Sequence, residues 1–268
     1  MKAILTDVSK CIGCDKCVEA CDSEQKQRPY KLWKWSSDDG LSGDRFTSVL
    51  RLDNNHYVRK QCRHCVSPAC VSVCPVGALK KTPEGPVVYD ADKCMGCRYC
   101  MMACPYGIPR YTWQDAVPLV RKCTMCYENR IKQGKQPTCT EACTEEATIF
   151  GERNHLLTVA KRRLRQQSDK YIQKVYGEKD VGGTGVLYIS PVKLNFLGWK
   201  EEVGTNPLPL LTAPAMTAVL PAFFTVGAGM TALHWITKRR QMVAEMKQTE
   251  TTHIKPLDRS SEDETENS

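Results

Sequence analysis

Residues 62–77 read C-R-H-C-V-S-P-A-C-V-S-V-C-P-V-G, and residues 94–107 read C-M-G-C-R-Y-C-M-M-A-C-P-Y-G. Cys62, Cys65, Cys70 and Cys74 follow C-x2-C-x4-C-x3-C, while Cys94, Cys97, Cys100 and Cys104 follow C-x2-C-x2-C-x3-C. Between the two loops lie a turn signal, Pro83-Glu84-Gly85-Pro86, and a strand signal, Val87-Val88-Tyr89, so one loop-and-strand unit is repeated. Nearer the N-terminus, Cys11, Cys14, Cys17 and Cys21 repeat the tighter spacing. Cys123, Cys126, Cys139 and Cys143 widen the middle gap to twelve. All sixteen cysteines are used, and the last gap is three residues in every group.

Three chemistries compete for such a pattern. A secreted disulfide scaffold is short, scatters its cysteines to staple loops and follows a cleavable apolar leader. This chain has 268 residues, and Met1 to Lys10 reads as a short strand with neither an apolar signal core nor an arginine pair. Structural zinc takes two C-x2-C pairs separated by a spacer, which only the fourth group imitates. Three closely spaced cysteines with a fourth close behind suit an iron-sulfur cubane instead. Three thiolates grip corners of one cluster, and the fourth, expected to start the helix that follows, reaches a second. Spacing therefore supports quartets and paired [4Fe-4S] clusters. Pro75 and Pro105 after Cys74 and Cys104 reset the backbone, and Gly13, Gly77, Gly96 and Gly107 let it approach inorganic sulfide.

Charge and composition exclude some classes. The formal charge is +8, but each oxidised cubane on four thiolates carries roughly −2, so four clusters offset it. The basic residues are interspersed with the cysteine groups and no nucleic-acid signature accompanies them, so no nucleic-acid partner is expected. No glycine-rich dinucleotide motif occurs, and no second cluster of reactive residues remains once the cysteines are assigned, so no catalytic residue is named and the chain is not expected to be an enzyme on its own.

The repeat from Cys62 to Gly107 resembles bacterial two-cluster ferredoxins, which implies a pseudo-symmetric α+β unit around two cubanes. The sixteen cysteines in this order, over residues 4 to about 190, resemble the iron-sulfur subunit of membrane-bound respiratory oxidoreductases, a family serving [NiFe] hydrogenases, formate dehydrogenases and dimethyl sulfoxide, polysulfide and nitrate reductases. The resemblance implies that ligands are exchanged between groups: Cys11, Cys14, Cys17 and Cys143 for one cluster; Cys21, Cys123, Cys126 and Cys139 for the next; Cys62, Cys65, Cys70 and Cys104 for a third; Cys74, Cys94, Cys97 and Cys100 for a fourth. It implies an α+β fold of two nested ferredoxin-like modules within residues 1–150, the outer from 1–30 plus 115–150 and the inner from 55–112. Its implied partners are catalytic large and small subunits of hydrogenase or molybdopterin type and an integral membrane quinone- or haem-binding subunit. The wording around Arg98-Tyr99-Cys100-Met101 and Cys104-Pro105-Tyr106-Gly107 is nearer the hydrogenase branch. Two departures matter. Nitrate reductase subunits replace one ligand by Trp, whereas this chain keeps Cys throughout; and Cys143 is followed by Thr144-Glu145-Glu146 where relatives carry Pro-Thr-Gly.

Residues 151–203 are read as an extension. His155 to Tyr176 places Leu157, Ala160, Leu164, Tyr171 and Val175 at helical spacing beside a basic run, Lys161, Arg162, Arg163 and Arg165, taken as a solvated face or a docking surface. A strand follows at Val186 to Ile189. Between Glu202 and Lys238 no side chain is charged over 35 residues. The apolar core, Ala213 to Ile236, is long enough to cross about 30 Å of hydrocarbon, so 208–237 is expected to be a transmembrane helix in a lipid bilayer, with Pro221 a possible kink and Gly227-Ala228-Gly229 a close-packing face. Lys238, Arg239 and Arg240 place the tail, 238–268, in the cytoplasm and the cysteine region in the periplasm of the inner membrane, exported together with a partner. The tail is expected to be disordered from Thr249. Trp33, Trp35, His64 and His234 are read as packing residues rather than redox contacts.

Overall fold

The computed structural model describes residues 1–25, 39–52, 55–194 and 203–253. Among them the strands are β1 (Lys2–Asp7), β2 (Thr47–Arg51), β3 (Tyr57–Gln61), β4 (Leu79–Lys81), β5 (Val87–Tyr89), β6 (Arg110–Tyr111), β7 (Val120–Arg121), β8 (Thr148–Glu152) and β9 (Val186–Ile189). The α-helices are α1 (Lys16–Glu24), α2 (Ala69–Ser72), α3 (Tyr99–Ala103), α4 (Thr138–Glu141), α5 (Arg153–Gln166) and α6 (Leu208–His253). The chain divides into two compact units, Met1–Thr212 and Ala213–Ser268.

In the first unit β1 is the middle strand of a sheet ordered β8-β1-β9. It runs antiparallel to β8, with Thr6 opposite Thr148, and parallel to β9, with Ile4 opposite Val186. Both its faces are covered, which is why it reads as a continuous apolar run rather than an alternating one. Ala3 and Leu5 join Leu187 and Ile189 against Leu156, Ala160 and Leu164 of α5. Ile4, Val186 and Tyr188 face the opposite way, into a core with Val58, Ile108 and Met125 from the cysteine-bearing region. The segment after residue 150 is therefore part of the same sheet and core. Three two-stranded hairpins, β2-β3, β4-β5 and β6-β7, complete the unit.

Two sequence expectations about α5 need correction. The helix ends at Gln166, not near Tyr176. The polar run from Gln166 to Lys170 has nothing to bury, and Gln167 leaves helical geometry at φ −134° while its N–H closes on the Arg163 carbonyl. Tyr171 and Val175 reach the same core from the returning segment, and Leu156 rather than half-buried Leu157 leads the buried face. The basic run is not uniformly a solvated face. Arg163 turns inward to Asp7, fully buried at the end of β1, with Nη1 3.0 Å from Oδ2. Tyr171 Oη donates to the same carboxylate oxygen at 2.9 Å.

The described residues of the second unit continue α6, a 46-residue helix that contains Pro214 and Pro221. It is long and apolar enough to cross a membrane, and its apolar side chains, Phe223, Phe224, Leu233 and Trp235 among them, are exposed. The helix does not stop at 237. It continues through Lys238 to His253, because residues 238–253 contain neither Gly nor Pro and are rich in strong helix formers such as Arg, Gln, Met and Ala. The expected disorder from Thr249 is thus corrected as far as His253; residues beyond it, like Trp33 and Trp35, lie outside the described residues.

Candidate functional site

Every cysteine group is built on the same local geometry. In each C-x2-C pair the residue before the second cysteine is left-handed: Gly13 at φ 73°, His64 at 47°, Gly96 at 73° and Met125 at 58°. That turn folds the loop back so that its two thiols converge. At Gly13 a side chain would also meet the Tyr57 ring at 2.5 Å. The third cysteine of each group, Cys17, Cys70, Cys100 and Cys139, is the second residue of a short helix, α1, α2, α3 and α4 respectively. The fourth cysteine was expected to start a helix; in three groups it follows one. Cys104 caps the end of α3, and the N–H groups of Cys74 and Cys143 close on Val71 and Thr140 carbonyls. Pro68 and Pro137 hold extended backbone just before α2 and α4, and Pro75 and Pro105 follow the fourth cysteines. Cys21 alone stays inside its helix.

Helix α1 packs on α4, and α2 on α3, which brings distant cysteines together. Cys11 lies in electrostatic reach of Cys14 and Cys143, and Cys17 of Cys11 and Cys143. Cys21 is grouped with Cys123, Cys126 and Cys139. Cys65 faces Cys62, Cys70 and Cys104, and Cys100 faces Cys74, Cys94 and Cys97. We call these neighbourhoods the first to fourth sets. Three thiol pairs cross between them: Cys17 with Cys139, Cys123 with Cys62, and Cys70 with Cys100. The sets therefore form a line, first to fourth. Among the described residues no group of three or more acidic, imidazole or thiol side chains is close enough to hold a single metal ion.

These thiols resist ionisation. Burial, reinforced by neighbouring thiols, pushes Cys17 and Cys100 up to about 11 and Cys70 to about 12, and raises Cys21, Cys65 and Cys123 further. Thiolates are the metal-binding form, so such a site ionises only when strong positive charge is supplied, as iron would supply it.

The surroundings fit a group rich in hydrogen-bond acceptors. Buried Arg59, Gln61 and His64 and half-buried Tyr89 present polar atoms without a nitrogen or oxygen partner, and all can be donors. His64 Nδ1 accepts the Val87 N–H at 2.9 Å, and burial holds the ring neutral, which puts its proton on Nε2. The Cys94 and Cys100 thiols lie beside Tyr89, and the Cys139 and Cys17 thiols beside Arg59, with Cys94 and Cys139 in hydrogen-bond reach. Thiolates and inorganic sulfides are acceptors that suit these donors.

Buried and half-buried cations complete the site. Lys81 Nζ donates to the carbonyls of His64 at 3.1 Å and Cys65 at 2.7 Å, and burial pulls its pKa down to about 8 against the opposing pull of Cys65 and Cys62. Lys122 Nζ donates to the carbonyls of Val87 and Cys123. The Arg63 guanidinium lies 4.2 Å from the centre of the Tyr188 ring. None of these was singled out from the sequence, where a lysine in a strand reads as surface. Of the histidines weighed, His64 carries an unmet donor in the third set's loop, whereas His234 is exposed on α6.

Comparisons with known proteins agree with this architecture. Residues 54–153 match the 4Fe-4S dicluster domain. A Nitratidesulfovibrio vulgaris protein is 40% identical over 92% of this chain and 70% of its own length. Hydrogenase-2 operon protein HybA of Escherichia coli is 38% identical over 70% of each chain. The iron-sulfur subunit of the nitrate-inducible formate dehydrogenase of Escherichia coli is 33% identical over 70% of this chain and 67% of its own. With relatives of that extent and a cysteine scaffold of this form, the chain belongs to the iron-sulfur electron-transfer subunits of respiratory oxidoreductases.

Proposed function

We propose that this chain relays electrons through four [4Fe-4S] clusters between a hydrogenase-type catalytic subunit and a quinone-reactive membrane subunit. The observation that carries the reading is the linear order of the four sets, joined by Cys17 with Cys139, Cys123 with Cys62, and Cys70 with Cys100. The four sets would be the ligand quartets: Cys11, Cys14, Cys17 and Cys143; Cys21, Cys123, Cys126 and Cys139; Cys62, Cys65, Cys70 and Cys104; Cys74, Cys94, Cys97 and Cys100. The packing of α1 on α4 and of α2 on α3 supports two nested modules, 1–30 with 115–150 outside and 55–112 inside. When bound, the clusters supply one-electron redox chemistry. The protein's own residues space them, keep water away and provide charge.

The ends of the line are better exposed than its middle. Cys14 and Ile12 are exposed beside the first set, and Met95, Tyr99 and Met102 beside the fourth. Cys21, Cys126, Cys139 and Cys62, from the two middle sets, are buried, and so is Cys100 of the fourth. That profile suits entry at one end and exit at the other.

A hydrogenase-type partner is favoured by the likeness to HybA, and the formate dehydrogenase subunit supports the second reading, a molybdopterin enzyme. Helix α6 would cross the inner membrane once, with Lys238, Arg239 and Arg240 on the cytoplasmic side and the cysteine unit in the periplasm. The test is to purify the full chain anaerobically, with and without its membrane complex. The isolated chain is expected to take up and release electrons without turning over hydrogen or formate. Turnover by the chain alone would overturn the proposal.

A further inference from the structure

We infer that Arg59 is a fixed cation shared by the first and second sets, which raises the reduction potentials of the clusters held in both. This rests on the four-cluster reading above.

Arg59 sits in β3, pairs with Val49 of β2, and its carbonyl accepts the Tyr188 hydroxyl at 2.8 Å, so its position is fixed by two elements. The residue is only 2% exposed, and none of its three guanidinium nitrogens bonds to a nitrogen or oxygen; the Cys139 thiol lies in reach of it. The next residue shows the contrast: Lys60 Nζ is 2.6 Å from the Asp39 carboxylate. The side chains that act most strongly on Arg59 are Cys139, Cys17 and Tyr188. Cys17 and Cys139 are also the thiols that link the first set to the second.

An arginine does not shed its proton, and an isolated charge in a protein interior is strongly unfavourable. Such a side chain persists only where an anion faces it. One thiolate from each of two sets, each on an anionic cluster, supplies that counter-charge from both sides. A fixed positive charge favours whichever redox state carries more negative charge, which is the reduced one. With no backbone carbonyl or carboxylate tying it to a loop, Arg59 would act on the Cys17 and Cys139 sulfurs through its charge. It would also screen the two anionic groups from each other.

The experiment compares the full chain with Arg59→Lys, Arg59→Gln and Arg59→Met by iron and sulfide analysis and by potentiometric titration followed by electron paramagnetic resonance. Gln keeps donors without charge, Met keeps bulk alone, and Lys keeps charge. R59Q and R59M are expected to lower two of the four potentials by at least tenfold in the reduction equilibrium, about 59 mV for one electron, while R59K stays near wild type. Loss of two clusters from both neutral variants but not from R59K would equally support the charge role. Unchanged potentials in R59Q, an equal shift of all four, or loss of clusters from R59K would overturn it. A wild type holding four clusters beside an unchanged R59Q refutes this inference alone; a wild type without four clusters refutes the reading beneath it.

Discussion

The third and fourth sets and the first and second sets reach similar local geometry by different means. The third and fourth are drawn from one stretch, residues 62–104, and their fourth cysteines lead into Cys-Pro-x-Gly turns in which Gly77 and Gly107 take φ 63° and 58°. The lysines beside the third set, Lys81 and Lys122, use their donors on backbone carbonyls. The first and second sets join residues 11–21 to residues 123–143 across the sheet. Their corresponding turn, Cys143 to Glu146, makes the same N–H to carbonyl closure at 3.3 Å but with Glu146 at φ 48°. Their cation, Arg59, bonds to no backbone carbonyl and faces the Cys17 and Cys139 thiols instead. One half is thus held by local turn chemistry and tethered lysines, the other by long-range strand pairing and charge.

Breaking the long-range half should have the largest effect. Asp7→Ala strands Arg163 and Tyr171 at the point where β1 enters the first loop. It should cost about 3 kcal/mol, read as a lower urea midpoint, with iron lost first from the first and second sets. Lys122→Met should cost about 2 kcal/mol and release iron first from the third set, since two carbonyls lose a charged donor.

Gly77→Ala isolates turn chemistry. A Cβ there has nothing within 4 Å, so the cost is conformational alone, about 1.5 kcal/mol by the same urea assay. His64 supplies a pH effect in the third set's loop. Its folded pKa is held well below 6.5 by burial, with Lys122 and Lys81 adding to it. Below pH 6.5 the unfolded chain takes up a proton that the folded chain refuses, so stability falls as pH falls. From pH 7.5 to 6 the loss should be about 0.8 kcal/mol and absent in His64→Gln, measured as the difference between their urea midpoints. The smallest effect is a gain: Glu146→Gly relieves the left-handed residue and should add about 0.5 kcal/mol. A loss there would contradict the equivalence of the two turns.

Much of this was legible in the sequence because cysteine spacing is a local code. The four groups, the strand Val87–Tyr89 and the strand Val186–Ile189 appear where the residues indicate them. The end of α5 was not legible, since Tyr171 and Val175 sit at helical spacing but enter the core from a turn. The continuation of α6 past Lys238 was hidden because an apolar span and the charged helix beyond it differ in composition but not in backbone. The inward placement of Arg59, Lys81 and Lys122 was invisible for another reason. A charge inside a protein is set by what faces it across the fold, and β3 pairs locally with β2 yet packs against residues more than a hundred positions away, as the bond from Tyr188 to Arg59 shows.

The most direct test of the central claim is metal and sulfide analysis of the anaerobically prepared full chain, with Mössbauer spectra to define the iron sites. About sixteen iron and sixteen sulfide per chain, all in cubane environments, is the predicted result. Zinc in place of iron, or iron far below that count, would contradict it.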